Sequence, residues 1–217
     1  MARPLKPLIS IDAVVTAALD LIDESGDFSL PKLAARIGVS PSSIYNHVSG
    51  REEILELVRG RITEGDPLLP GVPLDAEASW EDVLRSEIRT YRENFARHPR
   101  AAPLMVMQTV RNARVIAFYE RMASVLEEAG FRGADVASAL AMIDSFAIGA
   151  ALDLSAPGNV WDVAPGADSA LGRAVEGAAG LGDRAETAFE FGLEVLIDGL
   201  RLRQGRLGPR NGRVPRS

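Results

Sequence analysis

The sequence has no cysteine, so disulfides, thiolate nucleophiles and cysteine-type zinc sites are excluded at once. Its only histidines are His47 and His98, so a protein metal site would have to be built mostly from carboxylates, and none is expected. No cofactor pattern takes its place. The phosphate-cradling P-loop and the nucleophile motif G-x-S-x-G are both missing. "GLGDRA", Gly180 to Ala185, fits G-x-G-x-x-A, but the dinucleotide fingerprint needs a preceding strand. "ALGRAVEGAA" is not one, which leaves a turn. No nucleophile can be placed beside a base, so an enzyme is not expected. The opening "MARPLKPLIS" lacks the apolar stretch and cleavage site of a secretory leader. The longest apolar segment, "VASALAMIDSFAIGAALDLSA", is interrupted by Asp144 and Asp153, which a bilayer-spanning helix tolerates poorly. A soluble cytoplasmic protein with no membrane partner is the expectation.

Hydrophobic residues make up 47% of the chain and charged residues 25%, enough to bury a packed core. No stretch alternates with period two for long enough to read as a strand, and the fold class is all-α. Ile11, Val14, Val15, Ala18, Leu19 and Ile22 recur at helical spacing and predict a helix from Ser10 to Ser25. A second, "LPKLAARIG", follows Ser29 with Pro31 in its first turn. Ser40 can cap a third through its hydroxyl, with Pro41 at the first position and an end near His47. Ser49 and Glu52 have capping-box spacing ahead of a fourth. "GDPLLPGVPLDAEA" then has the Pro and Gly density of a linker.

Beyond it, "SWEDVLRSEIRTYRENFARHP" opens with a Ser79 to Asp82 capping pattern, and His98 reads as a helix-end residue facing the C-terminal dipole. Val136, Leu140, Ile143, Ala147, Ala150 and Leu154 step by four and three, as do Phe189, Leu193, Leu196 and Leu200. Both are bundle seams. The organisation read from these patterns is a helical domain over 1–60, a larger helical domain over 61–203 and a basic, disordered tail over 204–217. From residue 201 onward the chain has six Arg and no acid, so the first 200 residues hold 18 basic and 30 acidic groups. The tail reads either as a solvated end or as an arm for phosphates.

The stretch "VSPSSIYNHVSGREE", Val39 to Glu53, holds four serines and no acid before Glu52. A helix ending in Gly-Val, a tight turn and a short helix with small polar residues on its exposed side make a helix-turn-helix. A helix entering the DNA major groove needs small side chains at its start and hydrogen-bond donors for phosphate oxygens around it. Ser42, Ser43, Tyr45, Asn46 and His47 meet that need, while Ile44 and Val48 would pack back onto Leu33 and Ile37. The first 60 residues hold six basic and eight acidic groups, weak for a DNA binder, but most of the acids lie in the first helix and the turn after it.

"KLAARIGVSPSSIYNHVSGREEILELV", Lys32 to Val58, together with "IDAVVTAALDLIDESG" and "FSLP", closely resembles the TetR family of bacterial transcriptional regulators. The resemblance implies an N-terminal three-helix helix-turn-helix domain for DNA, followed by a larger helical bundle for ligand binding and dimerisation. It places Ser43, Tyr45, His47 and Arg51 on DNA phosphates, and Ser42 and Asn46 on base edges. Pro31 stands where tetracycline repressors carry a guanine-reading Arg, so Lys32 and Arg36 are left with backbone contacts. No histidine follows His98 to hold a drug–magnesium complex, which argues against tetracycline.

Tyr91, Phe95, Met105, Met107, Phe118, Met122, Met142, Phe146 and Trp161 read singly as core and, as a set within such a family, as the lining of a cavity for a largely apolar effector. Asp144 would orient that ligand, or else pair with Arg111 or Arg114. The implied function is a ligand-responsive repressor binding a palindromic double-stranded operator as a homodimer through helices 133–155 and 184–203. Activation and effector-free binding fit the same residues. The alternative is an all-helical small-molecule carrier or protein-interaction module without DNA binding.

Overall fold

The computed structural model describes residues 9–64, 78–164, 169–180 and 182–207. Most of the expected linker (65–77) and of the expected tail (208–217) lies outside them. Among the described residues there are ten helices and no strand: α1 (Ile11–Ser25), α2 (Leu30–Ile37), α3 (Pro41–Ile44), α4 (Arg51–Glu64), α5 (Trp80–Ala96), α6 (Ala102–Met105), α7 (Ala113–Glu128), α8 (Ala134–Asp153), α9 (Ala170–Ala178) and α10 (Arg184–Arg206). The all-α expectation holds. The chain forms two compact units, one from Met1–Gly71 with Glu93–Glu120 and the other from Val72–Arg92 with Arg121–Ser217. Helices α5 and α7 each contribute to both.

In the first unit, the Ser10 hydroxyl accepts from Ala13 N at 3.1 Å to start α1, and Gly26 ends it with φ 81°, a conformation that costs glycine nothing. Val14, Val15, Ala18, Leu19 and Ile22 are buried as their spacing predicted, whereas Ile11 is exposed. They pack with Leu33 of α2 and with Ile54, Leu55, Val58 and Ile62 of α4, all buried.

In the second unit, Ser79 accepts from Asp82 N at 3.2 Å and donates to Asp82 Oδ2 at 2.6 Å, so the expected cap forms at α5. Helix α8 is the one described helix long and apolar enough to cross a bilayer by length and composition. Its buried residues Val136, Ala139, Ile143, Ala147, Ile148 and Ala151 instead form a core stripe, as do Phe189, Leu193, Leu196, Ile197 and Leu200 of the adjoining α10. The expected seams are thus used largely inside one chain. The α8 seam is corrected by one position at two places, where Ala139 and Ala151 are buried and the expected Leu140 and Ala150 are only half-buried, and at its far end Leu154 is 41% exposed. A straight helix has 3.6 residues per turn and drifts by about 20° per heptad, which rotates the end of a strict seven-residue pattern out of the core.

The opposite faces of these two helices have a pattern of their own. Ser138, Met142, Ser145, Gly149 and Leu152 of α8 are exposed at steps of four and three, and Val195 and Leu202 of α10 are exposed beside Phe191, which is 73% exposed. Between the helices runs a groove of about 690 Å³ lined by Met142, Phe146, Gly192, Val195 and Gly199. Gly192 matters to it. The Phe146 ring lies so close that a Cβ at 192 would meet Phe146 Cε2 at 2.6 Å, while Phe146 stacks on Phe189 at 5.5 Å between centroids.

On the other flank of α10, Arg85 pairs with Glu194 at 2.9 and 3.0 Å and Arg89 with Glu190 at 2.9 and 2.6 Å. These arginine hydrogen bonds hold both glutamate carboxyls below their ordinary pKa. Being only partly buried, the pairs set register more than stability.

Gly192→Ala should destabilise the protein by about 1–3 kcal/mol, because displacing the Phe146 ring outweighs the roughly 1 kcal/mol gained in helix propensity. Gly177→Ala in α9, with open space around it, should be neutral or gain up to about 1 kcal/mol. Urea denaturation of both variants checks the contrast.

Candidate nucleic-acid interface

Ser29 starts α2 by accepting from Lys32 N at 3.4 Å, and Pro31 occupies the first turn, where a missing N–H is harmless. Gly38, at φ 73°, reverses the chain and donates to the end of α2. The next turn is pinned by its apolar members. Ile44 is fully buried, Val48 nearly so, and Leu33 of α2 is buried as well, so the polar residues between them are turned outward.

The start of α3 corrects one expectation: the Ser40 hydroxyl makes no capping bond to the backbone. It lies 2.9 Å from the Ser42 hydroxyl and 2.8 Å from that of Ser43, while the Ser40 carbonyl accepts from Ser43 N at 2.9 Å. Helix α3 is also shorter than expected, since Tyr45 to His47 form a turn after Ile44. Tyr45 is 56% exposed, and Lys32, Ser42, Asn46 and His47 are exposed with it. The cap of α4 is corrected too: Ser49 N donates to Glu53 Oε2 at 2.6 Å rather than to Glu52. That bond holds the Glu53 carboxyl below its ordinary pKa.

Arg51, at the start of α4, is engaged rather than free. Its Nη2 donates to Asp27 Oδ1 at 2.5 Å, and its guanidinium sits 5.4 Å from the centre of the Phe28 ring. The Arg51 hydrogen bond is the main reason that the Asp27 carboxyl is held below its ordinary pKa. Arg36 is similarly closed on Glu24 at 3.0 and 2.5 Å, and Arg61 on Asp12. Three of the five acids of α1 and its following turn, Asp12, Glu24 and Asp27, are therefore offset by neighbouring arginines, and no acid occurs from Phe28 through Arg51.

Two clamps tie Glu93–Glu120 to these helices. His98, expected at a helix dipole, instead pairs through Nδ1 with Asp23 Oδ2 at 2.8 Å. Arg100 Nη1 caps α1 by donating to the carbonyls of Asp23 and Glu24 at 2.9 and 2.5 Å. On α4, Glu56 and Arg59 are 8% and 6% exposed and form an ion pair at 3.2 Å. Glu56 Oε2 accepts from Arg111 N at 2.6 Å and Asn112 N at 2.9 Å, while Arg59 Nη2 donates to the carbonyls of Met105 and Gln108. A cleft of about 570 Å³ beside this pair is lined by Glu52, Glu53, Glu56 and Arg111, an acidic wall unsuited to anions.

The effector candidates divide between the units. Phe95, Met105 and Phe118 are buried in the first; Tyr91 and Met122 are buried in the second, where Phe146 is half-buried and Met142 and Trp161 are exposed. Asp144 accepts from the Tyr91 hydroxyl at 2.9 Å, and Arg114 pairs with Glu64 at 2.6 Å. Sequence reading passed over Arg92, whose side chain is 4% exposed. Its position beside Tyr91 on a charged helix gave no signal.

A family model described as "Tetracyclin repressor-like, C-terminal domain" matches residues 72–203. The tetracycline repressor protein class A from transposon 1721 of Escherichia coli is 31% identical over 217 residues, covering 94% of this chain and 95% of that protein. An HTH-type transcriptional regulator of Saccharopolyspora erythraea is 32% identical over 146 residues, 66% of this chain, and the match spans only 60% of that protein's length. Among solved structures, the Streptomyces coelicolor TetR family protein ActR in complex with actinorhodin superposes with a TM-score of 0.71 at 21% identity, covering 91% of this chain and 99% of that one; at that identity the likeness is one of fold.

Replacing Glu56 with Ala would leave Arg59 buried and unpaired. We expect a loss of about 3–5 kcal/mol in urea denaturation, with a much smaller loss for Glu53→Ala at the exposed end of the same helix.

Proposed function

Because the chain belongs to the TetR family, we propose that it is a non-enzymatic, DNA-binding transcriptional regulator of the cytoplasm, working as a ligand-responsive repressor on a palindromic operator. The observation that carries this reading is the outward face of the second and third helices. Tyr45 is 56% exposed and Ser42, Asn46 and His47 stand exposed around it on a turn pinned by Ile44 and Val48, with no acid for the length of the motif. Such a face suits phosphate oxygens and base edges and has no packing role of its own. Ser43 and Lys32 flank it. Arg51 reaches a phosphate only by leaving or sharing Asp27.

A two-fold operator calls for a two-fold protein. The exposed faces of α8 and α10, rather than their buried seams, supply the homodimer contact in this reading. Their small residues let helices approach closely while Met142, Phe191, Val195 and Leu202 provide apolar area. An effector held in the second unit favours a separation of the two recognition helices that no longer fits the operator; a differential affinity of about 2–4 kcal/mol suffices for release at moderate effector concentration.

Selection from a random double-stranded DNA pool at about 0.1 M salt should enrich a palindrome with half-sites roughly 34 Å apart or a multiple of it. Tyr45→Ala should fail to enrich it while remaining a folded dimer. Enrichment of no sequence by the folded dimer would sink the regulator reading and favour the carrier. In sedimentation, Val195→Arg should give a folded monomer; a dimer unchanged by that substitution would rule out the α8–α10 face.

A further inference from the structure

Helices α5 and α10 set three arginines against three glutamates, and two of the three rungs are closed. Arg85 and Arg89 each turn the Nε/Nη2 edge of the guanidinium onto both oxygens of a glutamate, at 2.9 and 3.0 Å on Glu194 and 2.9 and 2.6 Å on Glu190. Arg92 departs from this pattern. It gives Glu186 only Nη1, at 2.8 Å, and its Nε and Nη2 are buried with no hydrogen-bond partner. Its side chain is 4% exposed, whereas the closed rungs lie nearer the surface.

Two bare donors on a buried cation are unfavourable, and a hydrocarbon side chain of similar volume would fill the position at less cost. The edge left open is the one whose parallel N–H groups match the two oxygens of a carboxylate, as the neighbouring rungs demonstrate. The surroundings select what that carboxylate is attached to. The Arg92 guanidinium lies over the Phe189 ring at 4.0 Å, and Phe189 stacks on Phe146 with an interplanar angle of 12°. Phe189 is thus faced on one side by the guanidinium and on the other by Phe146, and a flat body joined to a carboxylate on the fork would extend the guanidinium's layer of this stack. Glu186 is half exposed and offsets the arginine only from the solvent side.

We propose that Arg92 is the recognition point for the acidic group of the effector, and that the effector is an aromatic carboxylic acid whose two oxygens take Nε and Nη2 while its ring continues the layer of the guanidinium past the edge of Phe189. The inference rests on the reading of the second unit as effector-binding. It replaces a largely apolar ligand by an amphipathic one, apolar in its body and anionic at one end. Arg92 is thereby retained at the expense of the empty protein's stability.

The test uses the full chain with 1-naphthoate and its uncharged counterpart 1-naphthamide, read by thermal unfolding and titration calorimetry. The acid should raise the melting temperature and bind at least tenfold more tightly than the amide. Arg92→Lys, which keeps charge but loses the fork, should weaken the acid at least tenfold. Arg92→Met should abolish the preference for the acid and melt higher than the unsubstituted protein when no ligand is present. If Arg92→Met does not fold, Arg92→Lys and Arg92→Gln carry the same comparison. Equal response to acid and amide, no response to either, or an acid preference that survives in the folded Arg92 variants would overturn the proposal. None of these readings involves DNA, so failure here is distinct from failure to enrich an operator, which would strike the regulator reading instead.

Discussion

The first unit is organised around a charge that is almost withdrawn from water. Arg59 is buried in α4, and the interactions that make it tolerable come from its own turn, from the end of α6 and from the segment after it: the carboxylate of Glu56 and the carbonyls of Met105 and Gln108. Glu56 in turn satisfies the amides of Arg111 and Asn112. Residues 106–112 have no regular secondary structure to absorb their backbone groups, so the pair does for them what a ladder does for a strand. Gly60 belongs to the same arrangement, since a Cβ there would fall 2.9 Å from the Asn112 side chain. His98 and Arg100 repeat the device at the end of α1. A segment that the chain reaches only after α5 is thereby made part of the unit carrying the helix-turn-helix.

That membership explains much of what sequence reading reached and what it did not. Helical periodicity gave the buried stripe of α1, and Ser79 was legible as a cap because a cap is a local bond within three or four residues. The helix-turn-helix was legible for the same reason: its glycine, its proline and its two apolar pins all lie within a dozen positions. The grouping of Glu93–Glu120 with α1 and α4 depends on pairs some 50 to 80 residues apart, and no pattern within a helix announces them. Among the caps themselves, the choice of Glu53 over Glu52, and of a serine triad over a backbone cap at Ser40, turns on side-chain geometry that spacing leaves open.

The candidate effector residues show the same limit from another side. Periodicity says which face of a helix is apolar, not whether the face meets a ligand, the same chain or another copy. The seams of α8 and α10 were found, but their partner proved to be within the chain. Their outer faces, written in Ser, Gly and Ala around a few large side chains, carry almost no hydrophobic signal. Arg92 was invisible because an arginine three positions from one paired arginine, on a helix rich in them, reads as solvated surface. Only its burial and its two empty donors set it apart from Arg85 and Arg89.

The linked hydroxyls of Ser40, Ser42 and Ser43 have a property that the heavy atoms do not record. Each of the two contacts can be made with either oxygen as donor, so the proton order of the triad has more than one state at the same atomic positions. An acceptor arriving at that surface is met by rotating hydroxyl hydrogens outward, and a donor by rotating them inward. The surface can thus invert its hydrogen-bond polarity without moving the backbone, offering donors in one proton order and acceptors in the other.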